Sequence, residues 1–489
     1  MKTLKKTLLL LLGLIVLFLA YLVFNTLHFR SKQVSYEPIE ILEISPTSKD
    51  NLSKAIKIRT VSHENVEDFD STQFIGFSSF LKTAYPLADS ILEKKTFNSF
   101  SFLYAWEGSD PTLKPIILMA HLDVVPVIEE NLEDWKHTPF GGEIIKDTIW
   151  GRGAMDDKFR VVGIMESVEI LLTNGFIPKR SIYISFGHDE EVGGLNGAKA
   201  IADYLKKEEV EAEFVLDEGG SIIQGLIPGL EKDAALIGIA EKGFLTLELS
   251  VSIEGGHSSI PEKETAIDVL AGAIVKLEEN PFPAKITPPL KKFFENLGPE
   301  MPFIQKLIFA NKSILGFLII KVTEQSSSGN ANVRTSTVPT IFNSGIKDNI
   351  VPQYAHARVN IRILPEESVA SVLDRVKKTI NDERIKIKAG NFYSEPSKVS
   401  SINSLGYETI RKTIAEVYPS TLVIPYLLAG ATDSRYFSDI TENIYRFSAR
   451  KTNTRNIKSF HGLNERISVS EFENSIRFYH QLIRNSTLE

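Results

Sequence analysis

Apolar positions change their period several times along the chain, and each change marks an element. From Leu8 to Phe24 the apolar residues run unbroken, inside an uncharged stretch from Thr7 to Leu27. As a helix, that stretch is long enough to cross roughly 30 Å of hydrocarbon. Residues 28–45 read as a tether. From there to residue 240 strand-like and helix-like patterns alternate. Residues 116–120 read as a buried strand, 158–174 as an amphipathic helix closed by Gly175, and 181–186 as a strand. A helix at 198–207 and a strand at 214–216, ending in Asp217, complete this part. Such alternation predicts an α/β sheet covered by helices, with ligands beyond the carboxyl ends of its strands.

The texture changes after residue 240. Positions 245–253 alternate as in a half-exposed strand, 266–278 read as a helix, and 280–330 read as irregular, with several Pro and the patch QSSSGN. An alternating strand at 355–363 and a helix at 367–381 follow, a set that predicts a smaller inserted α+β domain. From 393 the α/β texture returns and ends in an amphipathic helix at 470–484. The predicted layout is 1–34 as membrane segment and tether, 35–240 and 393–489 as two parts of one domain, and 241–392 as the insertion.

Composition narrows the chemistry. A length of 489 residues exceeds one typical core, and a net charge of −7 without basic patches argues against a nucleic-acid binder. The chain has no Cys, so any metal must be held by His, Asp or Glu. Lys2, Lys5 and Lys6 precede the apolar run and predict a cytoplasmic N-terminus with the remainder on the other side, although Arg30 and Lys32 follow the run and oppose this bias. No A-x-A-like site is evident, so an uncleaved signal anchor is the expectation; cleavage would give a secreted protein.

Five polar clusters stand at strand ends or tight turns: His121-Leu-Asp123, GRGAMDDK (151–158), GHDEEVGG (187–194), LDEGG (216–220) and FHGLNERI (460–467). Singly, each has an ordinary reading: an HxD pair by chance, or a solvated acidic turn. Residues two apart in a strand share a side, so His121 and Asp123 belong together. Adjacent carboxylates repel, and a divalent cation removes that cost. Two His and several carboxylates form an N/O donor set suited to Zn²⁺, with Co²⁺ or Mn²⁺ as substitutes.

In this order the five motifs resemble the zinc exopeptidase and amidohydrolase family of aminoacylase, carboxypeptidase G and succinyl-diaminopimelate desuccinylase, and most of all its carboxypeptidase S and N-fatty-acyl-amino-acid hydrolase branch. The resemblance runs from about residue 55 to the end and implies a catalytic domain with a mixed central sheet and an inserted lid domain. It implies two zinc ions, with His121 and Asp217 on one, Glu191 and His461 on the other, and Asp156 bridging. Glu190 would be the general base and Asp123 would orient His121. Asp157 would have a backbone role, at a pair where the family often has a cis peptide. GGHSSIP (255–261) resembles the lid motif whose His, here His257, serves a partner subunit, which implies a homodimer. Asn349 and Arg362 resemble positions that hold the substrate carboxylate, and Gly430 and Thr432, with Arg435 beside them, match a loop lining the same pocket. Trp135 and His137 fit a structural W…PFGG approach to the sheet.

The implied function is hydrolysis of amide bonds in N-acyl amino acids or at the C-terminal residue of short peptides. The rivals are a non-catalytic binding relative, opposed by the presence of every expected ligand and of Glu190, and a metal hydrolase of another ester or amide class. The apolar stretch within 303–320 reads as lid core, an acyl-chain groove or a membrane-contacting flap. N-x-S/T occurs at Asn51, Asn311 and Asn485.

Overall fold

The computed structural model describes residues 2–260 and 262–487. The chain divides into two units. One is built from Gln33–Ile239, Ser400–Pro425 and the chain from Thr432 onward. The other takes the N-terminal segment through Lys32, Ala240–Val399 and Tyr426–Ala431.

The first unit is built on four parallel strands in the order Ile182–Gly187, Ile116–His121, Phe214–Asp217, Ile444–Arg446. Ser101–Trp106 adds antiparallel to the first of these and Glu93–Phe97 extends that edge, while Gly238 of Ala234–Glu241 pairs antiparallel with Arg446 at the other edge. Buried on both faces, Ile116–His121 is solvent-excluded at every position, as its continuous apolar run predicts. Register brings the strand ends level: His121 pairs with Gly187, and Leu118 lies between Ile184 and Leu216. The loops that follow His121, Gly187 and Asp217 therefore leave from one end of the sheet.

The helix predicted at 158–174 is Lys158–Thr173, closed by Gly175 with its φ of +68°. It is not amphipathic: residues Lys158 to Val168 are all buried, because Thr47–Lys57 and the C-terminal helix Val469–Ser486 pack against it. Its buried charges are satisfied locally. Arg160 donates to Asp157 Oδ2 (2.9 Å), Met119 O (2.6 Å) and Tyr479 Oη (2.8 Å). Lys158 donates to the carbonyls of Ala55 (3.1 Å) and Ile58, and burial pushes its ammonium down to about 7.

The second unit has a four-stranded sheet in the order Ser336–Ser344, Tyr354–Ile363, Gly243–Ser252, Ile385–Ser394. It is covered by Ala266–Glu279 and Val369–Ile380, each opened by a capping box, from Thr265 and Ser368. The alternation read at 245–253 is a strict alternation of buried with half-buried positions along Gly243–Ser252, ending in the exposed Ser252. The region expected to be irregular is helical: Pro288–Leu297, Phe303–Ala310, Lys312–Thr323 and Ser327–Val333. Pro288 and Pro289 stand at a helix start, where a missing N–H costs nothing, and Ser326 caps the last helix by accepting from Gly329 N.

Leu118 is fully buried between two strands. Leu118→Ala should destabilise the protein by about 2–5 kcal/mol, whereas truncating Ile177, 74% exposed, should cost less than about 0.5 kcal/mol. Urea denaturation of the two variants checks both.

Candidate active site

The site grows from the end of Ile116–His121. His121 Nδ1 lies 3.0 Å from Asp123 O and 3.3 Å from Asp123 Oδ1, the same-side placement the HxD spacing predicts. The Asp123 carboxylate is fully buried and accepts from Ser62 Oγ (2.7 Å), Glu190 N (3.2 Å) and Glu191 N (3.1 Å). Burial pushes its pKa up, but the hydrogen bonds from His121 and Ser62 and the His121 charge hold it below the usual range.

With Nδ1 fixed, His121 Nε2 points at Asp156 Oδ1 (3.1 Å) and Glu218 Oε1 (3.6 Å). The other Asp156 oxygen, Oδ2, is 2.7 Å from His461 Nε2, which also faces Glu191 Oε1 at 3.4 Å. Asp156 thus stands between two imidazoles, one on each oxygen. Among the described residues, three sets of donor atoms lie within 4.8 Å of one another: His121, Asp156 and Glu218; Asp156, Glu191 and His461; and His121, Glu190 and Glu191.

Asp217, expected on the His121 side, is placed differently. Asp217 is absent from these groupings. Its oxygens accept from Ser434 N and Glu218 N (2.8 Å each), and Arg160 Nη1 lies 3.6 Å from it. The adjacent Glu218 takes the place beside His121. Asp189, first of the DEE run, is turned away and accepts from Asn196 N at 2.7 Å.

Residues that the motifs did not single out frame the cluster. Glu465, fully buried, accepts at Oε1 from the amides of Gly153 (3.0 Å), Met155 (2.7 Å) and Asp156 (3.2 Å), and at Oε2 from Arg152 (2.6 Å). It shapes the turn that presents Asp156; the signal was an acid four residues after His461 in the same motif. The Asp156–Asp157 peptide is cis. Gly194 has φ +68°, and a Cβ there would come within 1.9 Å of the Asp433 carboxylate, so this turn admits only glycine.

The electrostatics are those of crowded carboxylates. Burial, with the charge of Asp156, pushes Glu191 up to about 7 and also raises Glu218; burial raises Glu190 further still. Hydrogen bonds to Asp156 and Glu191 push His461 up to about 10. Burial lowers the His121 pKa, but hydrogen bonds to Asp123, Asp156 and Glu218 outweigh it and leave it well above the ordinary value. Both His121 nitrogens face acceptors: Nδ1 donates to Asp123, and Nε2 faces Asp156 and Glu218, the side on which a cation would replace a proton. Glu191 Oε1 is buried, with His461 Nε2 3.4 Å away. Two imidazoles, a carboxylate with an oxygen toward each, and two further acids fit a pair of divalent ions of the zinc type.

The remaining expected residues are placed as follows. Thr432, buried, shares a hydrogen bond with Ser434 Oγ (2.7 Å), and Arg435 donates to Gly193 O (2.8 Å). Gly430 stands in the segment grouped with the second unit. In that unit His257 is exposed on a two-stranded ribbon, paired with Ile350 and accepting at Nδ1 from Ser259; Asn349, also exposed, stands in the turn just before Ile350, and its main-chain carbonyl accepts from Ser258 N at 3.3 Å. Arg362 lies in the four-stranded sheet, over the Phe244 ring at 4.7 Å. Trp135 is buried beneath the Arg152 guanidinium, and His137 packs on Trp150.

A family model described as peptidase family M20/M25/M40 matches residues 117–485. The chain is 39% identical over 479 residues to a probable carboxypeptidase S-like 2 of Dictyostelium discoideum, covering 96% of this chain and 92% of that protein. It is 41% identical to the N-fatty-acyl-amino acid synthase/hydrolase PM20D1 of Xenopus tropicalis, covering 89% and 85%. Among solved structures, the M20 family metallo-carboxypeptidase Sso-CP2 from Sulfolobus solfataricus superposes with a TM-score of 0.67 at 18% identity, covering 91% of this chain and all of that one, a likeness of fold.

Two outcomes are expected. Glu218→Gln should weaken Zn²⁺ binding by about 10- to 100-fold or more, and Asp217→Asn by distinctly less, as measured by chelator competition. Zn²⁺ affinity should also fall from pH 8 to pH 6. His461, pushed up to about 10, must shed a proton to ligate, and Glu191, at about 7, gains one across this range. Protons therefore compete with the metal more strongly as pH falls. Calorimetry in buffers of different ionisation enthalpy should show about one proton or more released per chain on loading at pH 7; a flat profile with no release would contradict the donor assignment.

Proposed function

Because the chain belongs to the M20/M25/M40 peptidase family, and is therefore a hydrolase, we propose that it is a di-zinc amidohydrolase. Its substrates would be N-acyl amino acids or short peptides with a free C-terminal carboxylate. The observation that carries this reading is the Asp156 carboxylate, with one oxygen 3.1 Å from His121 and the other 2.7 Å from His461. It supports His121 and Glu218 as ligands on one side, Glu191 and His461 on the other, and Asp156 between them.

A bound zinc pair would polarise the scissile carbonyl and acidify the attacking water. Glu190 is the proposed general base. Its carboxyl lies in the donor cluster, its backbone is held by Asp123, and burial raises its pKa, as suits a group that accepts and then returns a proton near neutral pH. In the proposed reaction Glu190 takes the proton of the attacking water and delivers it to the leaving amine nitrogen. Asp123 keeps the His121 ring oriented throughout. His257 is proposed to donate to the tetrahedral oxygen, as a residue offered to a second copy of the chain. Asn349 and Arg362, with the Gly430–Thr432 loop, are proposed to recognise the substrate carboxylate, for which a guanidinium has the right planar geometry.

The N-terminal helix Lys2–His28 is long and apolar enough to cross a membrane. Its side chains from Leu4 to Leu19 are mostly exposed, which supports a signal anchor, and Lys2, Lys5 and Lys6 ahead of the apolar run favour the hydrolase on the non-cytoplasmic side.

Turnover of the zinc-loaded full chain on dipeptides and on N-long-chain-acyl amino acids tests the reading and separates the two substrate types. Glu190→Gln should lower kcat by about 100- to 10,000-fold with metal content unchanged. Substantial residual activity in that variant would remove Glu190 from the role of base.

A further inference from the structure

We propose that the helical hairpin formed by Phe303–Ala310 and Lys312–Thr323 is seated in the membrane surface, in the leaflet from which the N-terminal helix emerges. This inference rests on the anchor reading above and extends it to a second, non-spanning contact with lipid.

The first observation is where the anchor helix is fastened. Along Lys2–His28 only Leu22 and Thr26 are buried. At that end the helix is joined to the hairpin by a polar lock. Asn25 Nδ2 donates to Asn311 Oδ1 (2.8 Å), and Asn311 Nδ2 donates to Leu22 O (3.0 Å) and Leu307 O (2.9 Å). Just beyond, the Phe29 ring lies against Gly298, where a Cβ would come within 2.6 Å of it, and Lys32 pairs with Glu295 at 3.2 Å. Glu295 also pairs with Lys312 of the hairpin, at 3.4 Å.

Depth follows from helix geometry. The uncharged run ends at Leu27, five residues after Leu22 and two after Asn25, so at 1.5 Å per residue the lock lies about 3 to 8 Å inside the uncharged run. A bilayer that takes up Thr7 to Leu27 therefore reaches the hairpin. An Asn in that layer needs an internal partner, and Asn25 has one.

The second observation is the hairpin's surface. Phe303 (54%), Ile304 (74%), Ile314 (42%), Phe317 (64%) and Val322 (63%) are exposed. Between Phe303 and Thr323 there is no acidic residue, and the charges are Lys306, Lys312 and Lys321. Apolar side chains with lysines whose stems reach the headgroups are the composition of an interfacial element. The two helices have 8 and 12 residues and meet at a bend of 120°. At about 12 and 18 Å long, neither crosses a roughly 30 Å layer. The hairpin enters one leaflet and turns back.

The chain has no Cys, so single cysteines report without background. The full chain is reconstituted in phosphatidylcholine vesicles with a nitrobenzoxadiazole label at Ile304→Cys or Phe317→Cys. Leu17→Cys serves as the anchor control and Ile177→Cys as the solvent control. Labels at 304 and 317 should emit blue-shifted light and be quenched by shallow doxyl lipids about two-fold or more above the label at 177. Quenching at 17 with none at 304 and 317 overturns the hairpin proposal alone. Absence of quenching at 17 overturns the anchor reading, and the hairpin proposal with it. A blue shift at 304 and 317 that resists lipid quenchers and follows the protein-to-lipid ratio would mean that a second copy covers the face, and would also overturn it.

Discussion

The Asp123 carboxylate is the contact on which the rest of the candidate site depends. It is fully buried, and four groups converge on it: the His121 ring, the Ser62 hydroxyl and the amides of Glu190 and Glu191. A buried charge is tolerable only when its acceptor sites are filled, and here each filling group belongs to a segment that must be positioned. One anion thus sets the tautomer and tilt of an imidazole while pinning the turn that carries the proposed base. Glu465 repeats the device on the opposite side, holding three successive-turn amides so that Asp156 faces inward.

Between these two clamps lies a deliberate imbalance. Asp156, Glu190, Glu191 and Glu218 crowd two histidines, and without cations protons must fill the gap: on both imidazoles and, near neutrality, on Glu191. The framework beneath is charge-balanced by contrast. Arg160 answers Asp157 and Asp217, and Arg152 answers Glu465. The crowded acids stand at one end of the sheet, beyond His121 and Asp217.

Much of this was legible in the sequence, because strand ends carry a strong signal. His121 and Asp123 are separated by one residue at the end of an apolar run, and that spacing alone places them on one side. The choice between Asp217 and Glu218 was not legible. Two adjacent acids sit where the strand stops, and alternation gives no parity beyond that point. Asp217 is retained by Ser434 and Arg160, partners far away in sequence. The sequence of Lys158–Thr173 predicts an amphipathic helix, whereas tertiary partners bury its charges as well. The segment 280–330 looked irregular because proline was read as a breaker and not as a first-turn residue. Glu465 lay within a quoted motif, but an acid that works only through backbone amides has no pattern of its own.

The position of Ile444–Arg446 in the sheet has a consequence for biosynthesis. It fills the place between Phe214–Asp217 and Ala234–Glu241, and the segment bearing His461 and Glu465 comes later still. A chain emerging from the ribosome must hold that slot open, with bare strand edges on either side, until its last portion arrives. A premature stop anywhere before Ile444 therefore leaves an unclosed sheet for quality control to recognise.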